Sequence, residues 1–181
     1  MKNKVRIIGG DWRSRTIAVA DNPDLRPTPD RIRETVFNWL GQDLSGKICL
    51  DLFAGSGALG FEASSRGAAQ VVMVEIERAA LQALRRNIQS LKATRIQLVA
   101  MDALAFLDSD RQQFDVIFLD PPYRKALLPR LLSLLSTHLA ESGLVYVEDE
   151  RPPEPGADWL AWRTGQAGGV YYQLLKPQEH G

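Results

Sequence analysis

Cysteine is almost missing. The chain has 181 residues and one thiol, Cys49, so no internal disulfide can form. That suits a reducing compartment, and a cytoplasmic protein is expected. Histidine is scarce too: His138 and His180 stand far apart. With a single thiol they make no zinc-ligand pattern, and no metal is expected. No apolar run approaches the roughly 18 residues of a membrane-spanning helix, so no membrane partner is expected. The first ten residues carry basic side chains without an apolar core region, which argues against an export signal. Net charge is absent as well, 22 basic residues facing 22 acidic ones.

What is present is ordinary for a globular chain. Apolar residues make up 45% and charged residues 24%, which excludes overall disorder and a disulfide-rich scaffold. A chain this long buries about 70% of its unfolded surface. It has room for one domain and a small appendage. We divide it into an N-terminal segment, 1–45, and a main domain, 46–181. The zero net charge hides an asymmetry. Residues 1–40 hold eight Lys and Arg against five acids, giving +3 and leaving −3 for the rest. A basic arm on a neutral body is either a solvated face or a footprint for a polyanion.

Residues 5–9 and 15–20 are β-prone runs around Gly9 and Gly10, and they predict a hairpin. A proline-punctuated loop follows. Thr28 reads as a helix N-cap with Pro29 at the first helical position. Ile32, Val36, Phe37 and Leu40 then form one apolar stripe, stopped by Gly41. From residue 46 strands and helices alternate: strands at 48–53, 70–75, 96–100, 114–119 and 144–148, helices at 57–66, 77–91, 103–107 and 125–139. Near-continuous apolar strands between amphipathic helices predict an α/β fold with a parallel sheet covered on both faces. Residues 159–164 and 170–175 predict an antiparallel pair at the sheet's end.

Two strand ends carry the chemistry. The first holds Asp51-Leu52-Phe53-Ala54-Gly55-Ser56-Gly57-Ala58-Leu59-Gly60, which contains G-x-G-x-x-G. Such a turn fits a dinucleotide site, a methyl-donor site, or a tight turn without ligand. Glu75, ending the next strand, can accept from both hydroxyls of a ribose in either kind of site. Asp102 suits an adenine amino group, or caps the following helix. The second is Asp120-Pro121-Pro122-Tyr123. Two prolines fix φ and remove two N–H donors, leaving a rigid loop with free carbonyls. Asp120 and the Pro121 carbonyl can together accept both hydrogens of an exocyclic amino group. Tyr123 can stack on the base that carries it. Drawing on those hydrogens localises the nitrogen lone pair for attack on a sulfonium methyl, a reaction governed by positioning and electrostatics.

The pairing of Asp51-Leu52-Phe53-Ala54-Gly55-Ser56-Gly57 with Asp120-Pro121-Pro122-Tyr123 resembles the class I S-adenosylmethionine-dependent amino-methyltransferases. Arg6-Ile7-Ile8-Gly9-Gly10, the run from Arg26-Pro27-Thr28-Pro29-Asp30-Arg31 to Leu40, and Gly57-Ala58-Leu59-Gly60-Phe61-Glu62-Ala63 narrow the resemblance. They are similar to the bacterial small-subunit ribosomal RNA guanine-N2 methyltransferases. The resemblance spans residues 5 to about 150. It implies a Rossmann-like, mostly parallel seven-stranded sheet with a reversed final hairpin, plus the small N-terminal hairpin and helix. It also implies S-adenosylmethionine as donor and S-adenosylhomocysteine as product. Methyl transfer would be to a guanine of 16S rRNA on assembled or nearly assembled small subunits, by a monomer.

Carried over, Asp51, Gly55 and Gly57, with Phe53, Ala54 and Ser56 of the same turn, would lie against the donor's amino-acid moiety. Glu75 would hold its ribose, and Asp102 with Ala103 its adenine. Asp120, Pro121, Pro122 and Tyr123 would hold the target base. Arg6, Arg13, Arg15, Arg26, Arg31 and Arg33 become the RNA-contacting arm, with Arg26 and Arg31 nearest the site. Glu34 and Asn38 either line the donor pocket or solvate their helix. One departure is Arg13-Ser14-Arg15, where the family often has Arg-Gly-Arg. The Asp-Pro-Pro-Tyr box alone fits adenine N6 in DNA or another RNA equally well. A nicotinamide oxidoreductase would leave that box without a purpose, and a non-catalytic assembly factor would leave both motifs without one. Cys49 and Trp159 read as packing residues, and His138 as a surface residue near a helix end.

Overall fold

The computed structural model describes residues 3–22, 25, 27–121 and 127–179. An antiparallel hairpin of β1 (Lys4–Arg6) and β2 (Thr16–Ala18) comes first, followed by α1 (Asp30–Trp39). Then come β3 (Ile48–Asp51), α2 (Ala58–Ser65), β4 (Gln70–Glu75), α3 (Arg78–Leu91), β5 (Ile96–Ala100) and α4 (Ala103–Ser109). The chain ends with β6 (Phe114–Leu119), α5 (Leu127–Leu135), β7 (Leu139–Asp149), β8 (Trp159–Ala167) and β9 (Val170–Pro177). The main sheet has seven strands in the order β5-β4-β3-β6-β7-β9-β8. Strands β3 to β7 pair in parallel, and β9 runs antiparallel between β7 and β8. This is the expected architecture.

Each parallel strand is apolar along its length because both faces are covered. Cys49, Val71, Val116 and Phe118 face a core with Ile32, Val36 and Phe37 of α1, Phe61 of α2 and Leu84 of α3. Their neighbours Leu50, Val72 and Ile117 face the other core, with Phe106 of α4 and Leu128, Leu131 and Leu132 of α5. Since β3 pairs with β4 on one side and β6 on the other, the strand order reverses there. In such sheets the crevice beyond the carboxyl ends at that point is the ligand site.

The N-terminal segment packs on the same core. Val5, Ile7, Ile17 and Val19 join α1, α2 and α3. Asn87 of α3 imitates a strand edge, donating to the Ala18 carbonyl at 2.8 Å and accepting from the Ala18 N–H at 3.1 Å. Glu62 of α2 is fully buried and accepts from the Ile8 and Gly9 N–H groups, both at 2.9 Å. Its carboxylate also accepts from Arg33 Nη1 at 3.0 Å and Arg66 Nε at 2.9 Å.

That latch overturns one expectation. Arg33 is not a phosphate contact. It is fully buried, donates to the Thr28 carbonyl at 3.1 Å and pairs with Asp30 as well as Glu62. Its Nε, Nη1 and Nη2 each donate to a partner within the protein. Thr28 is not the N-cap either. Pro29 occupies that position without a side-chain cap, and the helix begins at Asp30. The expected helix 125–139 ends earlier: α5 stops at Leu135, residues 136–138 form a 3₁₀ turn, and Leu139 already pairs with Phe114. His138 is buried rather than on the surface.

Ser14 has φ +69°, the left-handed region that favours glycine. Its N–H still donates to the Ile7 carbonyl at 2.9 Å, so the turn is held despite the side chain. A left-handed non-glycine residue costs roughly 1–2 kcal/mol, and glycine's extra unfolded entropy returns part of any gain. Ser14→Gly is therefore expected to raise the melting temperature by about 2–4 °C, equivalent to ~1 kcal/mol in a chain of this size. A melting curve at or below wild type would show that the turn carries no strain.

Candidate active site

The carboxyl ends of β3, β4, β5, β6 and β7 open into one cleft of about 940 Å³. The glycine turn builds its floor. Gly57 caps α2 at φ +81°, and a Cβ there would lie 2.6 Å from the Phe61 ring. Gly60 lets the helix approach β3 so closely that its N–H donates to Asp51 Oδ2 at 3.0 Å. Glycine is needed at both positions, one for conformation and one for proximity. Glu75 reaches from β4 to accept from the Gly55 N–H at 2.8 Å, while its other oxygen accepts from Ile76 and Glu77 N–H, both at 2.8 Å.

Asp51, Phe53, Ala54, Gly55, Ser56, Glu75, Asp102, Ala103, Asp120 and Pro121 all line the cleft. Gly57 shapes the turn from behind. Asp102 also caps α4, accepting from the Ala105 N–H at 3.1 Å. Pro122 and Tyr123 lie outside the described residues, as does Arg26. Arg6, Arg13, Arg15 and Arg31 are exposed and lie outside the cleft wall. Arg6 stands 3.8 Å from Asp30, and Arg15 donates to the Ser90 carbonyl at 3.3 Å. Glu34 and Asn38 are exposed on α1, and Asn38 accepts from Gln42, so both solvate the helix.

Three site residues escaped the sequence reading. Glu148, at the end of β7, lines the cleft beside Asp120 and hydrogen-bonds to it. Thr28 donates to Glu148 Oε1 at 2.8 Å, and Tyr146 donates to Oε2 at 3.0 Å. Strand register could have found the pair. Leu119 of β6 lies opposite Val147 of β7, so the next residues, Asp120 and Glu148, leave adjacent strand ends together.

The electrostatics are one-sided. Eight carboxylates line the cleft (Asp51, Glu75, Glu77, Asp102, Asp120, Glu148, Asp149 and Glu150), and among the described residues no Lys or Arg does. Burial raises the Asp51 carboxyl to about 8 against the lowering effect of the Gly60 N–H, and Glu75 and Glu148 add repulsion. Asp120 is raised well above the usual carboxylate range, first by loss of solvent and then by Glu148. Burial and Glu148 raise the Tyr146 phenol too, so it stays a donor. Cys49 is buried and raised by burial to about 12, which makes it inert. Among the described residues no cluster could hold a metal ion, and no helix is long and apolar enough to cross a membrane.

Known proteins resemble this chain in sequence and in fold. The family described as conserved hypothetical protein 95 matches residues 5–176. The ribosomal RNA small subunit methyltransferase D of Escherichia coli K12 is 44% identical, covering 98% of this chain and 92% of that protein. Its namesake in Haemophilus influenzae is 40% identical over 97% and 95%. The solved structure of yhhF from Escherichia coli, described as a proposed methyltransferase, superposes with a TM-score of 0.87 at 43% identity, covering 98% and 100%. Matched almost end to end in sequence and in fold, the chain belongs to the conserved hypothetical protein 95 family, together with the small-subunit ribosomal RNA methyltransferases D.

Proposed function

We propose that this protein transfers a methyl group from S-adenosylmethionine to the exocyclic N2 amino group of a guanine in 16S rRNA, on assembled or nearly assembled small subunits in the cytoplasm. The observation that carries the donor assignment is the acidic wall. Eight acidic side chains line it with no described basic partner, and even with Asp51 and Asp120 raised by burial the wall favours a sulfonium and repels the pyrophosphate of a nicotinamide dinucleotide. The names of the relatives, ribosomal RNA small subunit methyltransferase D, support the substrate class.

The residues fit the donor. Asp51 offers a carboxylate to its ammonium group, beside the Gly55 and Ser56 backbone. Glu75 keeps lone pairs for the ribose, and Asp102 for the adenine amino group. Ile76 is 66% exposed and forms the cleft wall with Met101, an apolar surface for a planar base. When bound, S-adenosylmethionine supplies an electrophilic methyl on a cationic sulfur. Asp120 and the Pro121 carbonyl accept from the target amino group and hold its nitrogen toward that methyl. Asp120 then takes the proton the nitrogen loses. Pro122 and Tyr123 complete this base-holding loop. Residues 1–45 serve as the RNA-contacting arm through Arg6, Arg13, Arg15, Arg26 and Arg31, and residues 46–181 carry the chemistry.

The test is methyl transfer from labelled S-adenosylmethionine to unmodified small subunits, naked rRNA and duplex DNA, with identification of the labelled nucleoside. N2-methylguanosine, strongest on the particles, is expected. N6-methyladenosine, or label in DNA, would move the target and overturn the base assignment.

Asp51 makes donor binding pH-dependent. Its carboxyl titrates at about 8 in the free protein, and a cationic ligand binds the ionised form. Binding below that pH therefore releases a proton. Affinity is expected to fall by up to about tenfold per pH unit as pH drops below 8. Calorimetric titration in buffers of different ionisation heat measures both quantities. A flat profile with no proton release would remove Asp51 from the donor site.

A further inference from the structure

We propose that Glu148 is the residue that selects guanine over adenine, by completing with Asp120 a two-carboxylate acceptor face held in place by Thr28 and Tyr146. The inference rests on the guanine-N2 reading and deepens it. One carboxylate and one carbonyl are enough to hold an exocyclic amino group, and they do so for either purine. Discrimination must come from the neighbouring ring atom. In guanine the atom beside the amino group is N1–H, a donor. In adenine it is N1 with a bare lone pair, an acceptor. A second carboxylate beside Asp120 gains a hydrogen bond from the first and faces lone-pair repulsion from the second.

Glu148 stands where that carboxylate is needed. It follows Val147, whose partner in the sheet is Leu119, and so emerges beside Asp120. Both line the same cleft. The Thr28 hydroxyl donates to Oε1 at 2.8 Å and the Tyr146 hydroxyl to Oε2 at 3.0 Å. Two donors fix the carboxylate as an acceptor and leave about two of its four lone-pair positions free. Thr28 comes from the loop before α1, so the N-terminal segment helps orient the selecting group.

The pair is also a proton store. Two carboxyls in hydrogen-bond contact cannot both be ionised without cost, Asp51 from β3 and Asp149 from β7 add negative charge, and Tyr172 of β9 lies opposite Glu148 in the sheet. In the free protein Asp120, raised by burial and by its neighbour, holds a proton. When guanine's N1–H and N2–H donors occupy both acceptors, that proton leaves to solvent. In the transfer step the N–CH₃ bond forms, the S–CH₃ bond breaks, and the nitrogen's proton passes to Asp120. The balance is one methyl out and one proton in.

Glu148→Gln tests this. The amide keeps the shape, removes the charge and presents a donor suited to adenine N1. On unmodified small subunits kcat/KM is expected to fall about 10- to 100-fold, the range of a lost hydrogen bond to a charged acceptor. The acid limb of its pH profile should move to lower pH, because Asp120 no longer has a charged neighbour. On subunits carrying adenine at the methylated position, the guanine-to-adenine ratio should narrow relative to wild type. Thr28→Val keeps both carboxylates and should give a smaller loss with the same direction of narrowing. Far-ultraviolet circular dichroism and the melting temperature report on folding in each variant. A folded Glu148→Gln enzyme with wild-type kcat/KM, pH profile and base ratio overturns the proposal while leaving the guanine reading intact. Wild-type enzyme that labels another base overturns the reading beneath it and the proposal too.

Discussion

Asp120→Ala is expected to lower kcat for methyl transfer by about 10²- to 10⁴-fold, the range for a lost proton acceptor combined with a lost electrostatic contact. Donor affinity should stay within about threefold, a difference under 1 kcal/mol. The separation follows from position. Asp51 and Glu75 sit at the ends of β3 and β4, whereas Asp120 directly follows β6, toward β7. Asp120→Asn should fall between, since the amide oxygen still accepts but cannot take the proton. The pH sign is fixed by the raised carboxyl. Loss of solvent and then Glu148 hold Asp120 protonated above the usual carboxylate range, so it gains acceptor strength as pH rises. The wild-type rate should therefore climb with pH on its acid side, and that limb should disappear in Asp120→Asn. Single-turnover transfer to small subunits gives kcat free of product release, and calorimetry gives donor affinity. An alanine variant of near wild-type kcat would take Asp120 out of the reaction.

The β-α alternation was readable because covering both faces of a parallel sheet forces unbroken apolar runs, as in Val71 to Val74 and Val116 to Leu119. The glycine turn was readable because the left-handed φ at Gly57 and the close Gly60–Asp51 approach both favour glycine. What stayed hidden depended on distant partners. Arg33 and Arg31 look alike in sequence, two residues apart in a basic run. Only the helical turn sends one inward to Glu62 and leaves the other exposed. Glu148 was one more acid at a strand end until β6 and β7 were in register. Thr28 resembled a cap, and its hydroxyl went to a carboxylate 120 residues away. The left-handed backbone at Ser14 was foreshadowed by its departure from Arg-Gly-Arg, though a serine carries no such signal itself.

Arg33→Ala is expected to destabilise the fold by about 3–5 kcal/mol, the usual effect of stranding one partner of a buried ion pair. Arg33 and Glu62 are both fully buried, 3.0 Å apart. Alanine would leave a carboxylate held by two backbone N–H groups and Arg66, with a void where the guanidinium lay. Because Glu62 also fastens Ile8 and Gly9, the loss should loosen the hairpin before the sheet, and hydrogen exchange at β1 and β2 should rise first. Glu62→Gln in the Arg33→Ala background should restore part of the stability by removing the stranded charge while keeping an acceptor oxygen. Arg31→Ala, on the exposed side of the same helix, should change stability by no more than about 0.5 kcal/mol. Urea unfolding of the four proteins gives the energies, provided the slopes agree. Binding to small subunits at two salt concentrations gives the other half. Arg31→Ala should weaken binding and lessen its salt dependence, as a phosphate contact requires. An Arg33→Ala protein with unchanged stability and weakened RNA binding would reverse the assignment and return Arg33 to the RNA face.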